Sequence, residues 1–283
     1  MVRRGVEASS AGAASRLFTK PPGFDGKVKT MEYTLKELMT IMAAREIQDD
    51  DIVFCGTGIS MVAAMAAKHI NAPNSIIFFE TGAIDSRLEE VPMAVADPRV
   101  MFGAASNSGL LESFATMQNQ ITGGRVIGIL GAAQVDKYGN LNSTCIGDYF
   151  QPQIRFSGSG GACDVASFVP RCLIFMQHEK RKFPIMLDYL TSPGYLDGPG
   201  ARENAGLMSG GPTAVITNLG VMYFDHDTKE MYLAYYYPGV SPQTILDNME
   251  FGVDISRAKE AESPTEHELK ILRETVDPHK LIL

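Results

Sequence analysis

Three things are scarce in this chain, and each scarcity counts against a class of function. Cysteine comes first: there are four, Cys55, Cys145, Cys163 and Cys172, none at CxxC spacing and most in apolar surroundings. That pattern suits free buried thiols in a reducing cytoplasm, and it counts against a zinc site or a disulfide framework. Long apolar runs are also missing. No stretch approaches the ~20 uninterrupted apolar residues of a membrane span, so a soluble protein is expected. Positive charge is the third: 25 Lys and Arg stand against 33 Asp and Glu, a net charge of −8. An acidic surface repels nucleic-acid phosphate, although a locally positive pocket could still take a small anion.

What is present describes an ordinary globular chain, with 45% hydrophobic and 20% charged residues. Its 283 residues fit one large α/β domain or two small ones. With no repeats and no separating linker, one domain over 31–283 is the economical expectation. Residues 1–30 differ, because they carry Arg3, Arg4, Arg16, Lys20, Lys27 and Lys29 against Glu7 and Asp25, amid much Ala, Ser and Gly. The composition imitates an organellar transit peptide. Its weak apolar face and the Pro-Pro-Gly at 21–23 favour a poorly ordered leader, or a start placed too early with Met31 as the working one.

From Thr34 the pattern is regular. Thr34 and Glu37 make a capping box, and Leu35, Leu38, Met39 and Met42 follow at helical spacing. A strand is expected at 51–55, a turn at Gly56-Thr57-Gly58, and a helix at 59–69. The apolar run 75–79 reads as a strand covered on both faces. A helix near 108–121 and a buried strand at 126–130 come next. Alternating strands and helices predict an α/β fold with a mostly parallel sheet flanked by helices. The last third adds short strands at 213–218, 221–224 and 230–236, the last two forming a small antiparallel hairpin through the turn 225–229. Two helix starts follow, one at Ser241-Pro242 and one at the second capping box, Thr265 with Glu268.

Gly56-Thr57-Gly58 imitates a dinucleotide-binding fingerprint, with Glu80 near the place of a ribose-binding acid. Met61, however, takes the third glycine position, and Thr81-Gly82 stops the strand just after Glu80. The turn and the helix after it still favour an anion. Glu80 itself follows Ile76-Ile77-Phe78-Phe79. It is either an ordinary strand-end glutamate, exposed or capping a turn, or a partly dried carboxylate kept for chemistry. A second glycine cluster, Phe156-Ser157-Gly158-Ser159-Gly160-Gly161-Ala162, can bring bare N–H groups to a ligand, or can be a flexible loop. Its apolar flanks favour a packed, ligand-facing loop. Lys180-Arg181-Lys182 reads as a solvated loop before it reads as a phosphate or partner contact. His178-Glu179 lacks the second histidine of HExxH. His69, His226, His267 and His279 read as surface or structural residues, and Cys55 as a buried thiol.

Several long segments together resemble the β subunits of the family I CoA-transferases, in their glutaconate-type branch. The matching stretches are VFCGTG at 53–58, IIFFETG at 76–82, GAAQVDKYGNLNST at 131–144, IGDYFQPQIRFSGSGGA at 146–162, MQHEKRKF at 176–183, TSPGYLDGPG at 191–200 and YLAYYYPG at 232–239. The resemblance runs from about Met31 to the C-terminus. It implies a fold shared with certain sugar-phosphate isomerases and an active site between this chain and an α subunit. The family's nucleophilic glutamate falls on Glu80, which relatives that decarboxylate or hydrolyse acyl-CoA lack. Backbone donors for oxyanion and substrate fall near Thr57, Gly58, Gly160 and Gly161. The implied substrates are acyl-CoA, coenzyme A and a small carboxylic or dicarboxylic acid such as glutaconate, exchanged by ping-pong through a glutamyl-CoA thioester. The resemblance implies no metal and no permanently bound cofactor, and the cysteine pattern suits a cytoplasmic setting. Thioester hydrolysis on the same scaffold, or a non-catalytic ligand-binding subunit, are the competing readings.

Overall fold

The computed structural model describes residues 32–119, 123–208 and 210–283; the leader at 1–30 lies outside them. Helix α1, Leu35–Glu46, begins at the expected capping box. The Thr34 hydroxyl accepts from the Glu37 N–H at 3.1 Å, and the Glu37 carboxylate accepts from the Thr34 N–H at 2.7 Å. Two of the helix's four free N–H groups are thereby satisfied. Strand β1, Ile52–Cys55, leads through the 56–58 turn into α2, Ile59–Ile70, and then β2, Ile76–Phe78. Two short strands follow, β3 (Ala83–Ile84) and β4 (Ser106–Asn107), and after them α3 (Leu110–Gln118) and β5 (Val126–Gly131).

Between β5 and the next long strand lie two small ribbons. One pairs β6 (Gln134–Val135) with β7 (Leu141–Asn142), the other β8 (Cys145–Ile146) with β9 (Ile154–Arg155). Helix α4 (Ala162–Phe168), β10 (Arg171–Met176), the short α5 (Ala201–Asn204) and β11 (Gly211–Thr217) complete the alternating part. Then come β12 (Gly220–Phe224), β13 (Met231–Tyr236), α6 (Pro242–Asp247), β14 (Lys259–Glu260) and α7 (Glu266–Lys270). Both late helices start as expected: Ser241 accepts from the Thr244 N–H, and Thr265 with Glu268 closes a capping box. Past α7 the chain continues into a π-helical turn over Ile271–Val276, which local pattern did not announce.

The main sheet has ten strands in the order β14-β13-β12-β11-β10-β5-β1-β2-β3-β4. Its middle, β2-β1-β5-β10-β11, is parallel. Strands β1, β5 and β10 are apolar and buried for almost their whole length, as strands inside a helix-covered parallel sheet must be. The expected hairpin forms between β12 and β13, with the Lys229 N–H donating to the Asp225 carbonyl at 3.0 Å, and it extends the main sheet. The opposite edge is antiparallel as well, β2 to β3 to β4. That edge was not legible in the sequence, because two-residue strands are too short to show alternation. Among the described residues, no helix is long and apolar enough to cross a membrane.

Candidate active site

Parallel strands finish at the same edge, so their following loops meet there. Phe54 of β1 pairs with Phe78 of β2, which sets Gly56 and Glu80 side by side, each two residues past that pair. The chain then reverses at once. The Gly82 N–H donates to the Phe79 carbonyl at 2.9 Å, and the Phe79 N–H to the Ala83 carbonyl at 3.0 Å. Gly82 makes this reversal possible: its φ is +94°, and a Cβ there would lie 2.3 Å from the Ser108 carbonyl oxygen. A side chain would both strain the backbone and collide with main chain.

Glu80 therefore stands at the first corner of a tight turn, half-buried. Its carboxylate has no hydrogen-bond or ion-pair partner among the described residues. The turn beneath it is firmly held. Ser113 of α3 donates its hydroxyl to the Phe79 carbonyl at 2.8 Å, and Ser108 donates its N–H to the Gly82 carbonyl at 2.9 Å. Beside Glu80, the Thr81 hydroxyl oxygen is buried and unpartnered.

The second glycine cluster comes up against this turn. A Cβ built on Gly161 would lie 3.6 Å from the Glu80 Oε2 and 2.5 Å from the Phe114 Cζ, so the bare glycine backbone lets the loop reach the carboxylate. The loop is tied down at Gly158, although its residues are half-buried or exposed and none is buried. The Gly158 N–H donates to the Ser143 carbonyl, and the Ser143 hydroxyl to the Gly158 carbonyl, each at 3.1 Å. Ser143 is held in turn by Thr191, whose Oγ1 accepts the Ser143 N–H at 2.9 Å and meets the Thr144 hydroxyl at 2.7 Å. The N–H groups of Gly160 and Gly161 have no acceptor among the described residues.

Thr57 and Gly58 sit at the end of the adjacent strand. Gly58, with φ +84°, opens α2, and the Ser60 hydroxyl braces the turn by donating toward the carbonyls of Gly56 (3.3 Å) and Thr57 (3.2 Å). The Thr57 and Gly58 N–H groups are also without acceptors among the described residues. Side chains built at Gly58 or Gly160 would meet nothing within 4 Å, so open space lies over both loops. Of the sequence-predicted residues, Glu80 and Gly161 are in direct apposition; Thr57 and Gly58 flank them one strand away, and Gly160 precedes Gly161. Ser113, Phe114, Ser143 and Thr191 were missed. Ser113 and Phe114 carry no local signal, whereas Ser143 and Thr191 lie within segments whose pattern drew attention without singling them out.

Competing groups drop out on geometry. Cys55 is 1% exposed, and burial pushes its thiol up to about 12, so it is no thiolate at neutral pH. Met61 fills the third position of the glycine fingerprint and is fully buried. Lys180–Lys182 forms a 3-10 turn whose charge Glu179 offsets, pairing with Arg181 at 2.7 Å and Lys182 at 3.5 Å. His178 is a buried structural residue. Its Nε2 is 3.1 Å from the Ile245 carbonyl, its ring stacks on Phe183 at 4.4 Å, and burial lowers it to about 4. A surface cleft of about 430 Å³ between Arg87, Glu90, Arg99, Phe102 and His279 includes none of the site residues.

Comparison with known proteins bears on the family and the fold. The sequence profile described as Coenzyme A transferase matches residues 36–248. The β subunit of glutaconate CoA-transferase from Acidaminococcus fermentans is 43% identical over 249 residues, which is 87% of this chain and 93% of that protein. The β subunit of 3-oxoadipate CoA-transferase from Pseudomonas knackmussii is 32% identical, over 85% of this chain and 92% of its own. The crystal structure of glutaconate coenzyme A-transferase from A. fermentans superposes with a TM-score of 0.86 at 41% identity, covering 89% of this chain and 97% of that one. With the family profile spanning most of the chain and two such relatives aligned nearly end to end, the chain belongs to the coenzyme A transferase family and is a CoA-transferase.

Proposed function

We propose that Glu80 is the nucleophile through which this enzyme moves coenzyme A between an acyl-CoA and a small carboxylic or dicarboxylic acid. The observation that carries the proposal is the half-buried, unpartnered Glu80 carboxylate, with its Oε2 3.6 Å from the place a Gly161 Cβ would take. A carboxylate nucleophile needs no separate base to attack a thioester. In the first half-reaction a Glu80 oxygen bonds to the acyl carbonyl carbon, and the C–S bond breaks to give a mixed anhydride and CoA thiolate. The thiolate then attacks the glutamyl carbonyl, forming glutamyl-CoA and releasing the donor carboxylate. An acceptor carboxylate runs the same steps in reverse, and Glu80 is regenerated.

Each addition places negative charge on a carbonyl oxygen. The free N–H groups of Thr57, Gly58, Gly160 and Gly161 are suited to receive it, and a preorganised donor of this kind contributes on the order of 3 kcal/mol. Coenzyme A and its thioesters are substrates here, not resident cofactors. The named relatives are each one subunit of a CoA-transferase, and the Glu80 site lies open on this chain; a different, α-type subunit completes it in this reading. Glutaconate is the nearest analogy for the acid. The cytoplasm is the compartment that suits four free cysteines.

The test is to purify the enzyme with its partner subunit, incubate it with acyl-CoA alone, and map the CoA adduct by mass spectrometry. Coenzyme A covalently attached at Glu80 is the expected result. No adduct under turnover conditions would refute the proposal. Glu80→Ala should abolish exchange, whereas a non-catalytic subunit would leave it intact. If the enzyme were a hydrolase, added acceptor acids would not change its products.

A further inference from the structure

We infer that Ser113 is a positioning residue for the reaction: its hydroxyl aims the Glu80 carboxylate, and α3 thereby sets the gap between Glu80 and Gly161. The inference rests on the reading of Glu80 as nucleophile. Ser113 is 1% exposed, and its hydroxyl donates to the Phe79 carbonyl at 2.8 Å. That carbonyl belongs to the peptide unit joining Phe79 to Glu80. Because the unit is planar, fixing its oxygen fixes the Glu80 N–H and Cα, the point from which the side chain leaves.

Two observations mark this bond as more than ordinary helix packing. Serine or threonine inside a helix commonly donates back to the carbonyl four residues earlier. Thr116 in the same helix does so, to the Glu112 carbonyl at 3.0 Å. Ser113 instead reaches out of its helix to the turn. The Phe79 carbonyl, moreover, is already satisfied by the Gly82 N–H at 2.9 Å. The second bond is not needed to rescue a buried acceptor, and what it adds is direction.

The next residue carries the other side of the gap. Phe114 lies against Gly161, its Cζ 2.5 Å from where a Cβ would be, and its ring is 6.1 Å from that of Phe54. Adjacent helical residues project about 100° apart. One turn of α3 therefore holds the nucleophile's turn with residue 113 and the glycine loop with residue 114. A capping contact steadies the helix at that end, where the Gly109 N–H donates to Glu112 Oε2 at 3.0 Å.

The experiment uses Ser113→Ala and Ser113→Cys in the enzyme assembled with its partner subunit. Cysteine fills the space of serine but is a weak donor. Both variants should lower kcat, and the single-turnover rate of glutamyl-CoA formation, by about 10- to 100-fold. The KM for acyl-CoA should stay within about twofold, since binding is not the step affected. Normal rates in Ser113→Ala would overturn the inference. Wild-type rates in Ser113→Cys would do so too, by showing that volume rather than the hydrogen bond matters, and so would a rise in KM at constant kcat. Glu80→Gln serves as the control: if it keeps exchange activity, the nucleophile assignment fails and this inference fails with it. If Glu80→Gln is dead while Ser113→Ala is normal, only the positioning role is lost.

Discussion

Gly161→Ala tests the apposition at the site with one added carbon. Gly161 has φ −78° and ψ −3°, which alanine adopts freely, so the backbone imposes no penalty and the effect is steric. The new Cβ would sit 2.5 Å from the Phe114 Cζ, whereas carbon atoms in contact prefer about 3.5–4.0 Å. Something must move by about 1 Å. Phe114 packs beside the Phe54 ring, centroids 6.1 Å apart, and Ser113 next to it is bonded to the Glu80 turn, so the strain divides between the loop and α3. Overpacking of this kind costs about 1–3 kcal/mol of stability. With Glu80 as the proposed nucleophile, a displacement of about 1 Å between it and the Gly161 N–H should lower kcat by about 100-fold, equivalent to about 2.7 kcal/mol of transition-state stabilisation. Steady-state exchange with the assembled enzyme, alongside a thermal melt, measures both effects. Adding Phe114→Leu removes the clashing atom and should restore most of the lost rate, a coupling of about 0.5–3 kcal/mol between the two positions. A Gly161→Ala enzyme with wild-type kcat and melting temperature would refute the reasoning, as would a double variant in which the two losses simply add.

Three further outcomes are expected. Gly82→Ala combines a φ of +94° with a Cβ 2.3 Å from a main-chain oxygen and should cost about 3 kcal/mol or more in urea unfolding; an unchanged midpoint would contradict the described turn. Native-state alkylation with iodoacetamide should modify half-buried Cys163 well before Cys55 and Cys172, whose thiols burial pushes up to about 12; early labelling of Cys55 would show the core to be open. Burial lowers His178 from 6.5 to about 4, so between those values the unfolded chain binds the extra proton and folding stability falls with falling pH. The contribution is whole above about 6.5, and about 3 kcal/mol of it is gone near pH 4. In His178→Gln this share of the pH dependence should vanish, and a wild-type urea midpoint flat between pH 7 and 5 would count against the burial.

What could be read without coordinates was what short stretches determine. Thr34, Ser241 and Thr265 announce helix starts because a cap is made within four residues of chain. The parallel core was legible in part because β1, β2 and β5 are apolar throughout; β10, which opens on Arg171, was not among the expected strands. Glu80 stood out because an acid ends such a run. Contacts between distant segments left no such trace. Nothing near residue 80 indicates that Ser113 holds its turn or that Gly161 lies over its carboxylate. The bond from Thr191 to Ser143 likewise joins two loops whose sequences say only that they bend. The antiparallel edge formed by β3 and β4 went unseen for a different reason, since its strands pair through main chain over two residues each and leave no side-chain pattern.

The free carboxylate of Glu80 also bears on how such a protein can change. Gly82, Ser108 and Ser113 hold the turn through main-chain atoms, and the Glu80 side chain carries no share of that work. Folding therefore places almost no demand on what occupies position 80. With Glu80 as the proposed nucleophile, substitutions there would be screened mainly by chemistry, and the reaction could be lost, or replaced by another, on a scaffold that goes on folding as before.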